Sequence, residues 1–322
     1  MSKGKRVVVI GAGVAGLACA RELSRAGNGA MVGAIVLDKG RGVGGRCATR
    51  RAEVQGFEKP VLFDHGPARF ERLPKPLHDE LERAGVIEAD TYAVDQFRCV
   101  AGNSSLCRYL ADGLDVRTGV EVKSVERVGE TWKLVDQQEK TVEADLLILA
   151  IPVDQVRVLL TGQAFESELA NVRMKPVWAG LVALDSPVKL MPDGVVIGAV
   201  NVMRDPRAVV LHATDAWTRA NLERTAEEAI ALMMGSLESA NCDVRGRVVY
   251  ASAHRWRYAL TDVPLGKAYL WDEPTRLGVC GDWCQTWCQG SSQGSAGVSD
   301  AAASGLAMAA AVLARQGANQ LT

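Results

Sequence analysis

An α/β fold in two lobes, one built on a parallel sheet and one α+β with an antiparallel sheet, is what this 322-residue sequence predicts. Three observations carry the prediction. The chain opens on a β-branched run, Val7-Val8-Val9-Ile10, that passes through Gly11-Ala12-Gly13-Val14-Ala15-Gly16 into a helical pattern. It closes on a short apolar strand, Leu277-Gly278-Val279-Cys280, followed by small residues and an alanine-rich helix. Between them lie Leu181-Val182-Ala183-Leu184, Val195-Val196-Ile197 and Val209-Val210-Leu211-His212, which read as strands of an antiparallel sheet.

The first stretch is specific to phosphate. Gly11 allows the tight turn after the strand, Gly13 lacks a Cβ so that a pyrophosphate approaches the backbone, and Gly16 lets the helix pack on the strand. Ala12, Val14 and Ala15 complete the loop, and the helix N-terminus offers free N–H groups to the anion. The strand before and the helix after supply the context that an isolated Gly-x-Gly-x-x-Gly lacks. The next apolar strand, Ala34-Ile35-Val36-Leu37, ends in Asp38, a carboxylate suited to accept both ribose hydroxyl protons and to repel a 2′-phosphate. Asp38 stands farther from Gly11 than the usual spacing of about 20 residues, and an extended turn over 28–33 is expected to absorb the surplus.

Lys39-Gly40-Arg41-Gly42-Val43-Gly44-Gly45-Arg46 follows directly. NAD does not need a second glycine-rich loop after the ribose acid. FAD does, because its diphosphate and ribityl chain thread deep into the protein. Lys39, Arg41 and Arg46 bring charge to offset the pyrophosphate, the arginines by forked hydrogen bonds, and Gly44 and Gly45 admit a close ligand. In His65-Gly66-Pro67-Ala68-Arg69 the Gly-Pro pair fixes a turn and Ala68 leaves room for a flat ring, with His65 read as a packed histidine beside it. At the far end of the chain, Gly281 and Asp282 follow a strand, and Asp282 is expected to hold a ribityl hydroxyl or the phosphate shell. Ser292, Ser295, Ala296 and Val298 lead into the last helix, whose N–H groups would face the flavin pyrimidine and favour its anionic reduced form.

Residues 72–101 carry Pro74, Pro76 and apolar Leu77, Leu81 and Ala84 at helical spacing, and read as an insertion leaving the nucleotide lobe. A helix through Leu110, β structure from Asp115 to Val135 and a strand over 144–150 return to it, with Ala150 at the strand's end before Ile151-Pro152; in flavoprotein lobes of this pattern a residue near Val122 is expected to meet the adenine edge through its backbone. The expected architecture is therefore a two-dinucleotide-binding, Rossmann-like FAD lobe (1–71, 102–152 and 276–322) and an α+β substrate lobe (72–101 and 153–275) carrying the antiparallel sheet. In the latter, Thr218 or Asn221 is expected to cap the helix over Glu223 to Leu237. Trp178, Trp217, Trp256 and Trp271 cluster in or next to this half and would floor a site for a flat or cationic substrate.

Composition narrows the function classes. A net charge of −1 gives no attraction to nucleic acid or to an anionic membrane, and neither is expected as a partner. The basic residues before Val7 are not read as a signal peptide, because the apolar run is the glycine fingerprint itself. The tail from Ala296 to Ala314 is interrupted by Ser299, Asp300, Ser304 and Gly305 and is not read as a membrane span. Eight scattered cysteines without a signal suggest reduced thiols and a cytoplasmic location. Cys280, Cys284 and Cys288 stand four apart, which is not zinc spacing; no metal is expected, and a thioether to the flavin from Cys284 or Cys288 is the alternative to buried thiols.

Together these pieces resemble the FAD lobe of the amine oxidase-type flavoproteins. Asp38-Lys39-x-Arg41-Gly42-x-Gly44-Gly45-Arg46, Leu211-His212-Ala213-Thr214-x-x-Trp217, Ala253-His254-Arg255-Trp256-x-Tyr258-Ala259 and Val279-Cys280-Gly281-Asp282-Trp283-Cys284 resemble the bacterial renalases. Asp64-His65-Gly66-Pro67-Ala68 departs from the Asp-x-Gly-Ala-aromatic loop of those relatives, and residues 285–295 are longer here. The resemblance implies an FAD-dependent oxidase that takes hydride from 2- and 6-dihydroNAD(P) isomers and reduces O2 to hydrogen peroxide. It implies a substrate pocket of His212, His254, Arg255, Trp256 and Tyr258, with no protein nucleophile. The competing expectations are an amine oxidase or desaturase-like dehydrogenase on a secondary metabolite, and a flavin-free binding protein like the GDP-dissociation inhibitors.

Overall fold

The computed structural model describes residues 5–26, 31–90, 93–187, 197–203, 205–239, 244, 246–285 and 297–318. In chain order its elements are β1 (Lys5–Ile10), α1 (Val14–Ala26), β2 (Met31–Asp38), β3 (Thr49–Ala52), β4 (Val61–Asp64), β5 (Phe70–Glu71), α2 (Lys75–Arg83), β6 (Ile87–Ala89) and β7 (Gln96–Cys99). Then come α3 (Ser104–Ala111), β8 (Asp115–Thr118), β9 (Val122–Val128), β10 (Thr131–Asp136), β11 (Thr141–Ala144), β12 (Leu146–Leu149), α4 (Val153–Leu159) and α5 (Glu166–Leu169). The last are β13 (Arg173–Leu184), β14 (Ile197–Val202), β15 (Ala208–Ala213), α6 (Asp215–Ala220), α7 (Ala226–Ser239), β16 (Val248–Val263), β17 (Leu270–Asp272), β18 (Leu277–Val279) and α8 (Val298–Ala318).

The chain forms two compact units, Met1–Gly45 with Arg69–Met174 and Thr261–Thr322, and Arg46–Ala68 with Lys175–Leu260. These boundaries differ from those read off the sequence. The 72–101 insertion stays with the first unit because Glu80 on α2 is gripped by Arg21 and Arg25 of α1. Residues 49–64 join the second because the β3–β4 hairpin buries Val61 and Phe63 against its antiparallel sheet.

β1 sits in the middle of the first unit's sheet, whose order is β17-β18-β12-β1-β2-β8. It is parallel to both β12 and β2. Val7–Ile10 and Leu146–Leu149 are buried throughout, as strands covered on both faces must be. The expected turn over 28–33 is corrected in part. Met31 pairs with Lys5 and Val32 with Arg6, so 31 and 32 are already strand, and a register shift before Ile35↔Val8 takes up one extra residue as a bulge; 27–30 lie outside the described residues. The strand expected over 144–150 is also corrected. Ala144 ends β11, paired with Trp132, and Asp145 then accepts the Arg6 backbone N–H at 2.7 Å, which turns the chain so that Leu146 enters the parallel sheet. α8 packs directly on α1: a Cβ at Gly305 would overlap the Ala15 carbonyl. By length and composition α8 could cross a membrane, yet more than half of its apolar window is buried in the protein.

In the second unit the sheet order is β14-β15-β13-β16. Strand alternation gives it two apolar faces. Trp178, Val182, Leu184, Val209, Leu211 and Ala253 meet Ala229, Met233 and Leu237 of α7. Ala179, Leu181, Ala183, Ala208 and Val210 meet the β3–β4 hairpin. The expected caps are corrected. Thr225 and Glu228 form a reciprocal capping box at α7 (2.9 and 3.2 Å), and Thr214 caps α6. Thr218 is instead fully buried against the Trp178 backbone N–H, and the Asn221 carbonyl accepts from Trp178 Nε1.

Candidate active site

The glycine fingerprint closes a cradle in the first unit. Gly11 has φ +111°, and a Cβ there would overlap the Ala150 carbonyl oxygen; one on Gly16 would overlap the Gly11 carbonyl. Gly13 differs, since a Cβ there would meet no atom of the described residues within 4 Å. That open side is where an approaching phosphate fits, next to the free N–H groups of the first turn of α1. Asp38 stitches the two glycine loops. Its Oδ2 accepts the Ala12 N–H at 2.7 Å and its Oδ1 the Gly40 N–H at 2.6 Å, while Gly44 N–H donates to the Ala12 carbonyl at 2.9 Å. Each carboxylate oxygen keeps a further lone pair for a ribose hydroxyl. Gly45 lies beside Gly13, and Lys39 and Arg41 are exposed.

The second half of the cradle comes from the chain's end. Asp282 is buried, 3% exposed, directly after Gly281. The Gly281 N–H donates to Ser304 Oγ at 2.9 Å, and Ser304 donates on to the Ala268 carbonyl at 2.6 Å. Ser304 has no motif around it and was legible only as a break in the alanine run. Val298 begins α8, with Asp300 accepting the Gly297 N–H at 3.0 Å. Val122 and Ala150 are half-buried at the starts and ends of their strands. Ser292, Ser295, Ala296 and Cys288 lie outside the described residues. Arg69 is drawn to Asp90, Nε to Oδ2 2.7 Å. Cys280 and Cys284 are buried free thiols, and burial pushes the Cys284 thiol well up, which does not suit a nucleophile toward a flavin. Among the described residues no group of three or more His, Cys, Asp or Glu is arranged to hold a metal ion. An open glycine loop, backbone donors and a buried aspartate at the end of a neighbouring strand fit an FAD diphosphate and ribityl chain.

In the second unit the structure gathers His65, His212, His254 and Trp256. The His65 ring stacks on Trp256 at 5.2 Å and meets His254 edge-on at 4.9 Å; His254 lies 4.1 Å from Trp256. Trp256 Nε1 donates to the His65 carbonyl at 2.8 Å, and His212 Nε2 is 3.4 Å from the same oxygen. Arg46 and His65–Ala68 pack within this unit: Arg46 Nη1 donates to the Ala259 carbonyl at 3.0 Å, and a Cβ on Gly66 would overlap the Arg46 carbonyl. Pro67 and Ala68 are half-buried beyond it. Arg255 is not gathered. It lies on the other face of β16, over Trp178, with Nη1 donating to the Leu222 carbonyl at 2.5 Å. Tyr258 follows Trp256 on the ring-bearing face by strand alternation and is half-buried. Arg50 and Ser252, which sequence reasoning passed over, border the rings; Arg50 Nη1 donates to Ser252 Oγ at 3.2 Å.

Burial pushes His65 down to about 4, with Arg50 and His212 adding to it; burial, then His65 and Arg50, does the same to His254, at about 4. Burial lowers His212 as well. The rings are therefore neutral at physiological pH. An unfolded chain takes up protons as pH falls through 6.5, whereas the folded one resists until about 4. Stability is then full above 6.5 and is lost as pH falls toward 4, by roughly 3 kcal/mol for a group shifted like His65. Thermal unfolding between pH 7.5 and 4.5 should show this slope, and His65→Gln should flatten it.

A family model described as an NAD(P)-binding Rossmann-like domain matches residues 9–81. One described as flavin containing amine oxidoreductase matches residues 86–313. Among solved structures, a provisionally named protoporphyrinogen oxidase from Exiguobacterium sp. 255-15 is similar with TM-score 0.66 at 14% identity, covering 97% of this chain and 99% of that one. Putrescine oxidase bound to putrescine gives TM-score 0.64 at 14% identity, again over 97% and 99% of the two chains. A double mutant of putrescine oxidase from a redesign of its cofactor binding gives TM-score 0.64 at 15% identity, with the same coverage. These likenesses share the fold, and the family match spans more than two thirds of the sequence, so the chain belongs to the flavin-containing amine oxidoreductases and is an FAD-dependent oxidoreductase.

Proposed function

We propose that the chain is a renalase-like oxidase, taking hydride from a 2- or 6-dihydro isomer of NAD(P) and delivering the electrons to O2. Dihydronicotinamide, O2 and one proton give the aromatic nicotinamide and hydrogen peroxide. The observation that carries this reading is the row of neutral rings. No carboxylate among the described residues pairs with His65, His254 or Trp256, and the one charged neighbour that affects both His65 and His254 is Arg50, a cation. Such a surface suits a flat, uncharged ring and disfavours an ammonium ion.

FAD, when bound, supplies the hydride acceptor and the route to oxygen. The chain's own contribution is placement. Trp256 and His254 offer a stacking face, and the His65 carbonyl, held by Trp256 Nε1, fixes the loop behind it. A dihydropyridine loses hydride without needing a base on the protein, which accords with imidazoles too weakly basic to hold a proton near neutrality. The described cysteines are all free, which suits the reducing cytoplasm.

Amine oxidation is the second reading, favoured by the likeness to putrescine oxidase. The FAD-loaded protein should consume oxygen and form equal amounts of peroxide and nicotinamide nucleotide with the 2- or 6-dihydro isomers. Its kcat/KM for them should exceed that for putrescine by at least about 100-fold. Turnover of amines alone would decide for the second reading.

A further inference from the structure

We infer that Arg50 and Ser252 form an anion-binding subsite beside the ring row, one that reads a phosphate on the substrate about one ribose away from the ring. The inference rests on the reading above and adds to it what the site recognises beyond the ring.

Arg50 lies on β3 directly opposite Phe63 of β4, so the two share a face of the hairpin. That face points inward: Phe63 is fully buried and stacks on Tyr250 of the sheet at 5.4 Å. Arg50 is half-buried and donates one N–H to Ser252 Oγ. Among the described residues it has no carboxylate partner and no second hydrogen bond. Three other half-buried arginines do have a carboxylate: Arg21 has Glu80, Arg207 has Asp205 and Arg157 has Asp154. An inward-facing cation kept without an internal counter-charge is costly unless a ligand supplies one. Its remaining donors form the planar fork that fits phosphate oxygens.

The spacing selects the ligand. Ser252, His254 and Trp256 alternate onto one face of β16, and each two-residue step along a strand spans about 7 Å. A ring lying on His254 and Trp256 would thus hold a group near Arg50 at roughly the reach of a ribose 5′-phosphate. A pyridine mononucleotide, free or as half of a dinucleotide, has both parts.

The test is binding to the oxidised FAD-loaded protein, followed by flavin absorbance and calorimetry, with nicotinamide mononucleotide and its phosphate-free riboside as probes. The wild type should prefer the mononucleotide by about 10- to 100-fold. Arg50→Met should bind both probes as the wild type binds the riboside, with unchanged flavin content, and Arg50→Lys should recover part of the preference. The subsite is overturned if the wild type shows no preference or binds neither probe. It is also overturned if Arg50→Met keeps the preference, weakens both probes equally, or loses its flavin, the last meaning that Arg50 serves the cofactor. A preference that vanishes in Arg50→Met, in a protein whose flavin no dihydropyridine isomer reduces, would keep the subsite and remove the oxidase reading.

Discussion

Gly13→Val should leave the apoprotein folded and strip it of flavin. The fingerprint glycines divide by what surrounds them. A side chain at Gly11 or Gly16 collides with backbone, the Ala150 or the Gly11 carbonyl, so Gly11→Ala and Gly16→Ala damage the fold together with the site. At Gly13 no atom of the described residues lies within 4 Å of an added Cβ. Among the described residues nothing is displaced, so the clash should fall on the ligand phosphate. FAD affinity should fall by at least about 100-fold, since the close approach of diphosphate to backbone N–H groups is what the glycine permits. The ratio of visible flavin absorbance to protein absorbance reads the loss, and far-ultraviolet circular dichroism of both apoproteins should coincide. The variant should also unfold at the temperature of wild-type apoprotein, while wild-type holoprotein unfolds higher because ligand binds only the folded state. A yellow Gly13→Val protein would place the diphosphate elsewhere.

Glu80→Ala should be the most destabilising loss of a charged side chain among the described ion pairs. One carboxylate joins three helices. Oε1 accepts from Arg21 Nη2 at 2.8 Å, from Arg25 Nη2 at 2.9 Å and from the Tyr109 hydroxyl at 3.1 Å, and Oε2 accepts from Nη1 of both arginines. Arg25, Arg21 and Tyr109 together hold the carboxyl at about 2, against 4.5 in the unfolded chain. Its stabilisation is therefore complete above pH 4.5 and is lost as pH falls from 4.5 toward 2. Removing the carboxylate strands two guanidiniums side by side, one of them largely buried, and should cost about 3 kcal/mol near neutral pH, or roughly 4 °C in Tm for a chain of this size. Glu80→Gln should cost less, because its one amide oxygen keeps an acceptor for three of the five donors, while its NH2 faces the Nη1 donors that Oε2 had accepted. Asp79→Ala is the control: its partner Lys75 is 81% exposed, and loss of that pair should change little. Equal effects at positions 79 and 80 would contradict this ranking.

What could be read from the sequence follows physical locality. The glycine loops, Asp38, the parallel strands around β1 and the final Gly-Asp turn were legible because each is set by neighbours within a few residues: period, turn chemistry, lack of a Cβ. The errors lie where a distant partner decides. Asp145 ends a strand because Arg6 is there to be accepted. Thr218 is not a cap because Trp178 claims its hydroxyl. The insertion and the β3–β4 hairpin changed units for the sake of Glu80 and Phe63, neither of which stands in a motif. In the ring row, His254 and Trp256 were visible through the Ala253–Ala259 motif, and Trp256 also as one of the clustered tryptophans. The resemblance grouped Arg255 with them, whereas strand alternation puts it on the opposite face. Arg50 carried no signal at all in one dimension; its meaning comes from facing inward without a carboxylate.

Anaerobic rapid mixing of the FAD-loaded protein with a reduced substrate tests the central claim most directly, because it watches the flavin itself and needs no assumption about the final acceptor. The 2- or 6-dihydro isomer of NAD(P) should bleach the flavin's visible band in a single phase whose limiting rate does not change between pH 6 and 8, since the rings at the site stay neutral across that range. Putrescine should not bleach it under the same conditions. Bleaching by putrescine, with the dihydropyridine isomers inert, would contradict the claim.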